Sequence, residues 1–313
     1  MNTPAPHNDD GVHVQDLRYS YGDYEAVRGV GLHARTGEVF ALLGTNGAGK
    51  TTTLELLQGY RKPAGGTIRV LGHDPVRQGR ALRRRTGFML QEAGFLPELT
   101  VAETLRLWSR ISSRADSVDD LLKRVDLVHR RDVRIDKLSG GEKRRVDIAL
   151  TVWGHPDLVV LDEPTTGLDP ESRSRLWDLV RELRTGGTTI VLTTHYLEEA
   201  EELADRLAIM HAGAIAISGT LDEVLDAHPA TVEATVEARH AVRLPATTTA
   251  FELDPIGPDV QLSLRTRSLQ RDLTTLLGWA ETEGIELRGL RAQTADLNTI
   301  FHNLLGDNGR STT

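Results

Sequence analysis

Gly44-Thr45-Asn46-Gly47-Ala48-Gly49-Lys50-Thr51 is the stretch on which the fold is decided. It is a GxxxxGK[ST] pattern, preceded by an apolar run at 39–43 that reads as a buried strand. Residues 52–57 behind it read as a helix. In that setting each residue type has a physical task. The glycines let backbone N–H groups curl around phosphate oxygens, and the helix N-terminus adds a favourable dipole. Lys50 is spaced to reach β- and γ-phosphates, and the Thr51 hydroxyl to ligate Mg2+. A phosphate loop alone does not name a reaction.

Working outward, the residues that follow 157, Leu158-Val159-Val160-Leu161-Asp162-Glu163-Pro164, begin with four apolar positions in a row. That pattern predicts a strand buried on both faces of a parallel sheet. Its acids fall at the C-terminal end, where open α/β sheets bind ligands. Asp162 can hold Mg2+ through water, and Glu163 can polarise an attacking water. A further buried strand at 188–194 runs into His195. A lone histidine at a strand end is more often structural than catalytic, but this one stands level with Asp162. Between the two strands, Asp169 and Pro170 supply an N-cap and a first helical residue, and capping alone accounts for both. Glu198, Glu199, Glu201 and Glu202 read as the solvated face of the helix after His195.

Leu138-Ser139-Gly140-Gly141-Glu142 opens another helix. Ser139 and Glu142 form an S-x-x-E capping box, which explains those two residues fully. It does not explain two adjacent glycines, which cost entropy at a helix start and are tolerated mainly for close backbone approach. A helix N-terminus with small residues is a second anion-binding surface.

The remaining chain supplies context. Strand signals occupy 12–43, with Tyr19, Tyr21 and Tyr24 clustered near Gly22. An aromatic there can stack on a purine or simply pack on a sheet face. Residues 77–85 are basic and read as a solvated helix face, with proximity to lipid phosphates as the alternative. A short strand at 86–90 ends in Gln91, and helical periodicity then runs from about 101 to 128. Residues 207–217 read as a hairpin turning at Ala212-Gly213. From 228 onward no chemical motif occurs. Strands at 231–238 and 261–266 and helices at 269–281 and 297–305 predict a small α+β accessory domain.

A chain of 313 residues can hold one large domain and a small one. Its net charge of −8 gives no basic field for nucleic acid, so no nucleic-acid partner is expected. The absence of cysteine excludes disulfides and thiolate metal sites. Residues 1–10 lack the apolar core of a signal peptide, and the stretch 207–221 is too short to span a bilayer. Work at a membrane therefore calls for a partner.

Taken together, these elements resemble the ATP-binding-cassette (ABC) ATPases over residues 12 to about 225. In family order they would be a base-stacking aromatic at Tyr21, the phosphate loop at 44–51 and a glutamine loop at Gln91. The LSGGE signature at 138–142, the acidic strand at 158–163, the D-loop at 166–169 and the switch histidine His195 follow. Thr45 stands where many relatives carry proline. The resemblance implies an α/β phosphate-loop NTPase cassette at 1–227, with an antiparallel β subdomain and a helical insert at about 92–155. A small α+β C-terminal domain at 228–313 would follow. It implies ATP and Mg2+ as cofactors, with Thr51, Gln91 and Asp162 around the metal and Glu163 and His195 in catalysis. The nucleotide would meet Tyr21, Gly44, Asn46, Gly47, Ala48, Gly49, Lys50, Thr51, Thr52 and Gln91 of one copy. Ser139, Gly140 and Gly141 of a second, head-to-tail copy would close on it, with Asp169 nearby.

The tail, residues 290–301, is similar to the C-terminal extension of daunorubicin-type drug-resistance exporters, more loosely than the core motifs. This implies a motor for drug or antibiotic efflux, held at the cytoplasmic face of the membrane by a separate permease. The competing expectation is a soluble cassette ATPase acting on ribosomes or DNA. Ribosomal relatives usually carry two cassettes, and chromosome-type relatives insert long coiled coils; this chain has neither feature.

Overall fold

The computed structural model describes residues 10–89 and 94–306. The first described elements are two long strands, β1 (Asp10–Tyr21) and β2 (Tyr24–Arg35), paired antiparallel. Then β3 (Val39–Gly44) enters the interior with every residue buried, as its sequence VFALLG predicts. The loop delivers the chain to α1 (Lys50–Leu57), after which β4 (Gly65–Val70) returns to pair antiparallel with β1. Gly65 and Gly66 are the first residues of that strand. A Cβ on Gly66 would stand 2.3 Å from the Asp16 carbonyl oxygen, and its φ is +82°, so only glycine permits the close approach of the two strands.

The basic segment folds as α2 (Gly79–Arg83), followed by β5 (Thr86–Met89). The expected helical stretch divides into α3 (Val101–Ile111) and α4 (Val118–Arg124). A capping box of Thr100 and Glu103 starts the first, and Ser117 caps the second. Next come α5 (Gly140–Val152), β6 (Leu158–Asp162), α6 (Pro170–Thr185), β7 (Thr189–Thr194) and α7 (Leu197–Leu203). The hairpin β8 (Arg206–His211) and β9 (Ala214–Gly219) turns at Ala212-Gly213, both at positive φ as a tight hairpin turn needs.

Among the described residues these strands form a three-stranded antiparallel sheet, β2-β1-β4, and a six-stranded sheet of order β5-β6-β7-β3-β8-β9. All neighbours in the larger sheet are parallel except β8–β9. Its central strands are wholly buried, and because they run parallel their C-terminal ends lie along one edge. Helix α5 packs against β5 and α7 against β3. The helical insert is tied to the sheet by Arg114, whose Nε donates to the Trp153 carbonyl at 2.7 Å and whose Nη1 reaches that of Thr86. Trp153 Nε1 returns a bond to the Arg114 carbonyl at 2.9 Å.

The chain divides into compact units at 1–221 and 222–313. After α8 (Leu221–Asp226), the second unit contains β10 (Ala230–Glu237), β11 (Glu252–Ile256) and β12 (Asp259–Thr266). It is completed by α9 (Leu269–Glu283), β13 (Arg288–Gln293) and α10 (Leu297–Gly306). Its antiparallel sheet has the order β11-β12-β10-β13 and its own core of Val232, Val236, Leu262, Leu264 and Leu276. Two strands here went unexpected. Both are edge strands with every residue exposed, so neither carries the alternating apolar pattern, and β11 contains Pro255, which only an edge tolerates.

Candidate active site

The site lies along the edge where β3, β6 and β7 end. Because β7 separates β6 from β3 in the sheet, their C-terminal ends bring the phosphate loop, the Asp162-Glu163 pair and His195 together. The loop closes on itself through the Ala48 N–H, which donates to the Thr45 carbonyl at 3.1 Å. Gly49 caps α1 at φ +103°, and a Cβ there would meet the Ala26 carbonyl oxygen at 2.4 Å. Gly47, at φ +80°, faces open space, so its need is conformational rather than steric. Asn46 is exposed, Ala48 buried, and Thr51 and Thr52 half-buried in the first turn of α1.

Lys50 is 5% exposed. Its Nζ donates to the Gly44 carbonyl at 2.7 Å and the Thr45 carbonyl at 3.2 Å, and lies 3.6 Å from Glu163 Oε1. Burial lowers the pKa of this ammonium, and the charge and hydrogen bond of Glu163 oppose the shift. Glu163 Oε2 is 3.5 Å from His195 Nδ1 and 3.4 Å from the Thr166 hydroxyl. The carboxylate thus spans from the loop lysine to the strand-end histidine.

Asp162, 1% exposed, accepts from the Thr193 hydroxyl through Oδ1, while its buried Oδ2 has no protein donor. A buried carboxylate oxygen without a partner is costly unless a cation or water meets it. With the Thr51 hydroxyl in the first turn of α1, an oxygen donor set of this kind suits a hard divalent cation that keeps several waters. Gln91, expected beside the metal, lies outside the described residues.

Glu163 has φ +48°, a left-handed conformation that costs a non-glycine residue about 1–3 kcal/mol. Its N–H donates to the Thr193 carbonyl at 3.2 Å and to Thr193 Oγ1 at 3.0 Å. The carbonyls of Asp162, Glu163 and Pro164 all accept from Arg144 of α5. Neither Arg144 nor Thr193 stands in a motif that marks it in the sequence. Glu199, expected on a solvated face, is instead fully buried and accepts from the Thr165 hydroxyl at 3.1 Å. Glu199, Ala200 and Leu203 share the inward side of α7 at helical spacing, leaving Glu198, Glu201 and Glu202 outside.

Tyr21 is 43% exposed at the end of β1, with its hydroxyl 3.3 Å from Glu55 and 3.4 Å from Thr52. The guanidinium of Arg61 lies over its ring at 4.8 Å and is paired with Glu55. Tyr19 meets Tyr21 edge-on, so Tyr19 is the packing residue of the cluster. Ser139 and Glu142 make the expected capping box, reinforced by Arg130 on Glu142 at 2.6 Å. Ser139 and Gly140 are exposed, and a Cβ on Gly140 would meet nothing within 4 Å. Among the described residues no hydrogen bond or ion pair joins 139–141 to the phosphate loop. Asp169 is exposed and caps α6 through the Ser172 N–H at 2.9 Å.

A phosphate loop at the end of a central parallel strand, an acidic pair at the end of the second strand over and an antiparallel subdomain define a phosphate-loop ATPase cassette. Comparison with known proteins agrees. Residues 27–166 match the ABC transporter family model, and 236–296 match the C-terminal domain of ABC transporter domain-containing protein-like chains. The daunorubicin resistance ATP-binding protein DrrA3 of Streptomyces coeruleorubidus is 37% identical, the match covering 96% of this chain and 98% of that one. Nod factor export ATP-binding protein I of Paraburkholderia xenovorans is 41% identical over 64% of this chain and 68% of its own. A dimeric structure of the ATP-binding cassette MJ0796 in a post-hydrolysis state, bound to ADP and Pi, is 25% identical with a TM-score of 0.60. It covers 67% of this chain and 98% of its own. The chain belongs to the ATP-binding subunits of ABC transporters, and it is an ATPase cassette with a C-terminal domain.

Proposed function

We propose that this chain is the motor of a drug exporter, and that two copies close head to tail on two ATP molecules. The observation that carries the reading is the exposed start of α5. Among the described residues a Cβ on Gly140 would meet nothing within 4 Å, and no hydrogen bond or ion pair ties 139–141 to their own phosphate loop. Glycine at 140 is therefore not explained by packing among the described residues, whereas a phosphate presented by a second copy would explain it.

Each residue then has a task. Lys50 holds the β- and γ-phosphates, the loop at Gly44, Asn46, Gly47, Ala48 and Gly49 supplies backbone donors, and Thr52 lies beside them. Tyr21 stacks on the base, with Arg61 behind its ring. Glu163 orients the attacking water and accepts its proton, and His195 donates to the γ-phosphate. Ser139, Gly140 and Gly141 bind that phosphate from the second copy, and Asp169 lies at the same seam. Thr51 and Asp162 would hold Mg2+, with Gln91 as a third contact. Bound there, the ion would neutralise charge on the phosphate oxygens.

Among the described residues no helix is long and apolar enough to cross a membrane. A groove of about 890 Å3 runs between α2, β5 and α3, with Phe88, Leu107, Trp108 and Ile111 along it and Arg80 and Arg83 at its rim. It suits a short amphipathic segment of a separate permease at the cytoplasmic membrane face. The daunorubicin resistance relative aligns through both units of the chain, which favours a drug over a Nod factor as cargo.

The test is co-expression with a candidate six-helix permease in a drug-sensitive bacterium, reading accumulation of a fluorescent anthracycline. The wild-type pair lowers accumulation and a Glu163→Gln pair does not. Equal accumulation in both would contradict drug export.

A further inference from the structure

We infer that Arg144, one turn into α5, is a positioning residue for hydrolysis, clasping the backbone that aims the Glu163 carboxylate. The inference rests on Glu163 being the group that activates water. Arg144 Nη2 donates to the carbonyls of Asp162 at 2.7 Å and Glu163 at 2.6 Å, and Nε donates to that of Pro164 at 3.2 Å. These carbonyls lie at the last residue of β6 and the two that follow it.

The direction of the Glu163 side chain follows from its left-handed backbone, at φ +48°. From that conformation one carboxylate oxygen meets Lys50 and the other His195. The strained residue is held from two sides, by Thr193 on its N–H and by Arg144 on its carbonyl and those flanking it. Its neighbour Arg145 is engaged elsewhere, since Arg145 Nη1 bonds the Ser172 hydroxyl of α6 at 3.0 Å. Asp147, one turn further along α5, stands 3.9 Å from Arg144 Nη1 and shares its buried surroundings.

The fixed planar fork of a guanidinium is what three successive carbonyls require. A lysine ammonium is a point donor on a flexible stem and cannot reproduce that set. Loss of the clasp leaves ATP held by the phosphate loop but lets the carboxylate swing off the water, and small misplacements of this kind cost about 100-fold in rate.

The experiment compares full-length Arg144→Met, Arg144→Lys and Glu163→Gln with wild type, measuring kcat, ATP affinity with a fluorescent analogue, and thermal unfolding. Arg144→Met is expected to lose about 100-fold in kcat at unchanged ATP affinity, with partial recovery in Arg144→Lys. Glu163→Gln is expected to bind ATP without turnover. Wild-type kcat in Arg144→Met beside a dead Glu163→Gln overturns the role of Arg144 alone. ATP affinity falling in step with kcat in the Arg144 variants shows a merely structural residue and also overturns it. Full turnover in Glu163→Gln removes the base and the clasp together. If Arg144→Met does not fold, Arg144→Lys decides: reduced kcat at wild-type affinity supports the role, and unchanged kcat rejects it.

Discussion

Lys50 Nζ and Glu163 Oε1 lie 3.6 Å apart, so the residue proposed to face phosphate and the residue proposed to face water are held by one another. Both are mostly buried, and attraction between charges is stronger where water is scarce. The phosphate loop and the acidic strand end are therefore one electrostatic unit, although 112 residues lie between Lys50 and Glu163 in the chain.

Cutting that unit at either end should give different losses. Lys50→Ala removes the charge facing the β- and γ-phosphates, so ATP binding itself should fail. Glu163→Gln keeps the shape and the loop, so ATP should bind while phosphate release stops. Titration with a fluorescent ATP analogue, beside a phosphate-release assay, separates the two. Near-normal affinity in Lys50→Ala would count against the loop assignment.

Tyr21→Ala should weaken ATP binding by about 1–3 kcal/mol, the range for a base stacked on an aromatic ring. Arg61→Ala should cause a smaller loss of the same kind, because it removes the cation behind the ring and leaves the ring in place. Both effects should appear in the Michaelis constant for ATP with kcat unchanged. An unchanged constant in Tyr21→Ala would reject stacking.

Much of this site can be read in the sequence because its strands are buried runs ending in motif residues, as at 158–163. Arg144 escaped because Lys143-Arg144-Arg145 reads as one basic helix surface. The signal was present in its spacing: Arg144, Asp147, Ile148 and Thr151 recur at three and four residues, and the last three are buried. Glu199 was misread for the same reason, one inward acid among three outward ones. The exposed edge strands β11 and β13 offer no apolar alternation, so composition could not reveal them.

Asp272, at the start of α9, reads as an ordinary acid at a helix N-terminus. In the fold it is buried and accepts from the Thr248 N–H at 2.9 Å and from the hydroxyls of Thr248 and Thr266. Burial raises its pKa, but those hydrogen bonds outweigh it and hold the carboxyl below its ordinary 3.8. A depressed acid contributes stability that is fully present above the ordinary value and is lost as pH falls through the folded one. The C-terminal unit should therefore weaken on acidification below about pH 4, and Asp272→Asn should flatten that dependence. Asp272→Ala should cost about 2 kcal/mol at neutral pH. Hydrogen exchange of the α9 amides reads both, and a wild-type pH profile in Asp272→Asn would contradict the assignment.

The central claim is that each ATP is shared between two copies, and complementation between two dead variants tests it most directly. One protomer carries Lys50→Ala, and its partner carries Gly140→Asp, whose carboxylate would repel the γ-phosphate. Each variant alone has only broken sites. In the mixed pair, the intact phosphate loop of the Gly140→Asp chain meets the intact signature of the Lys50→Ala chain, and one composite site is restored. Co-expressed, co-purified mixed pairs should recover part of the wild-type ATPase rate. Mixed pairs as inactive as their parents, beside an active pair of wild type with the double variant, would show that the signature does not act across copies.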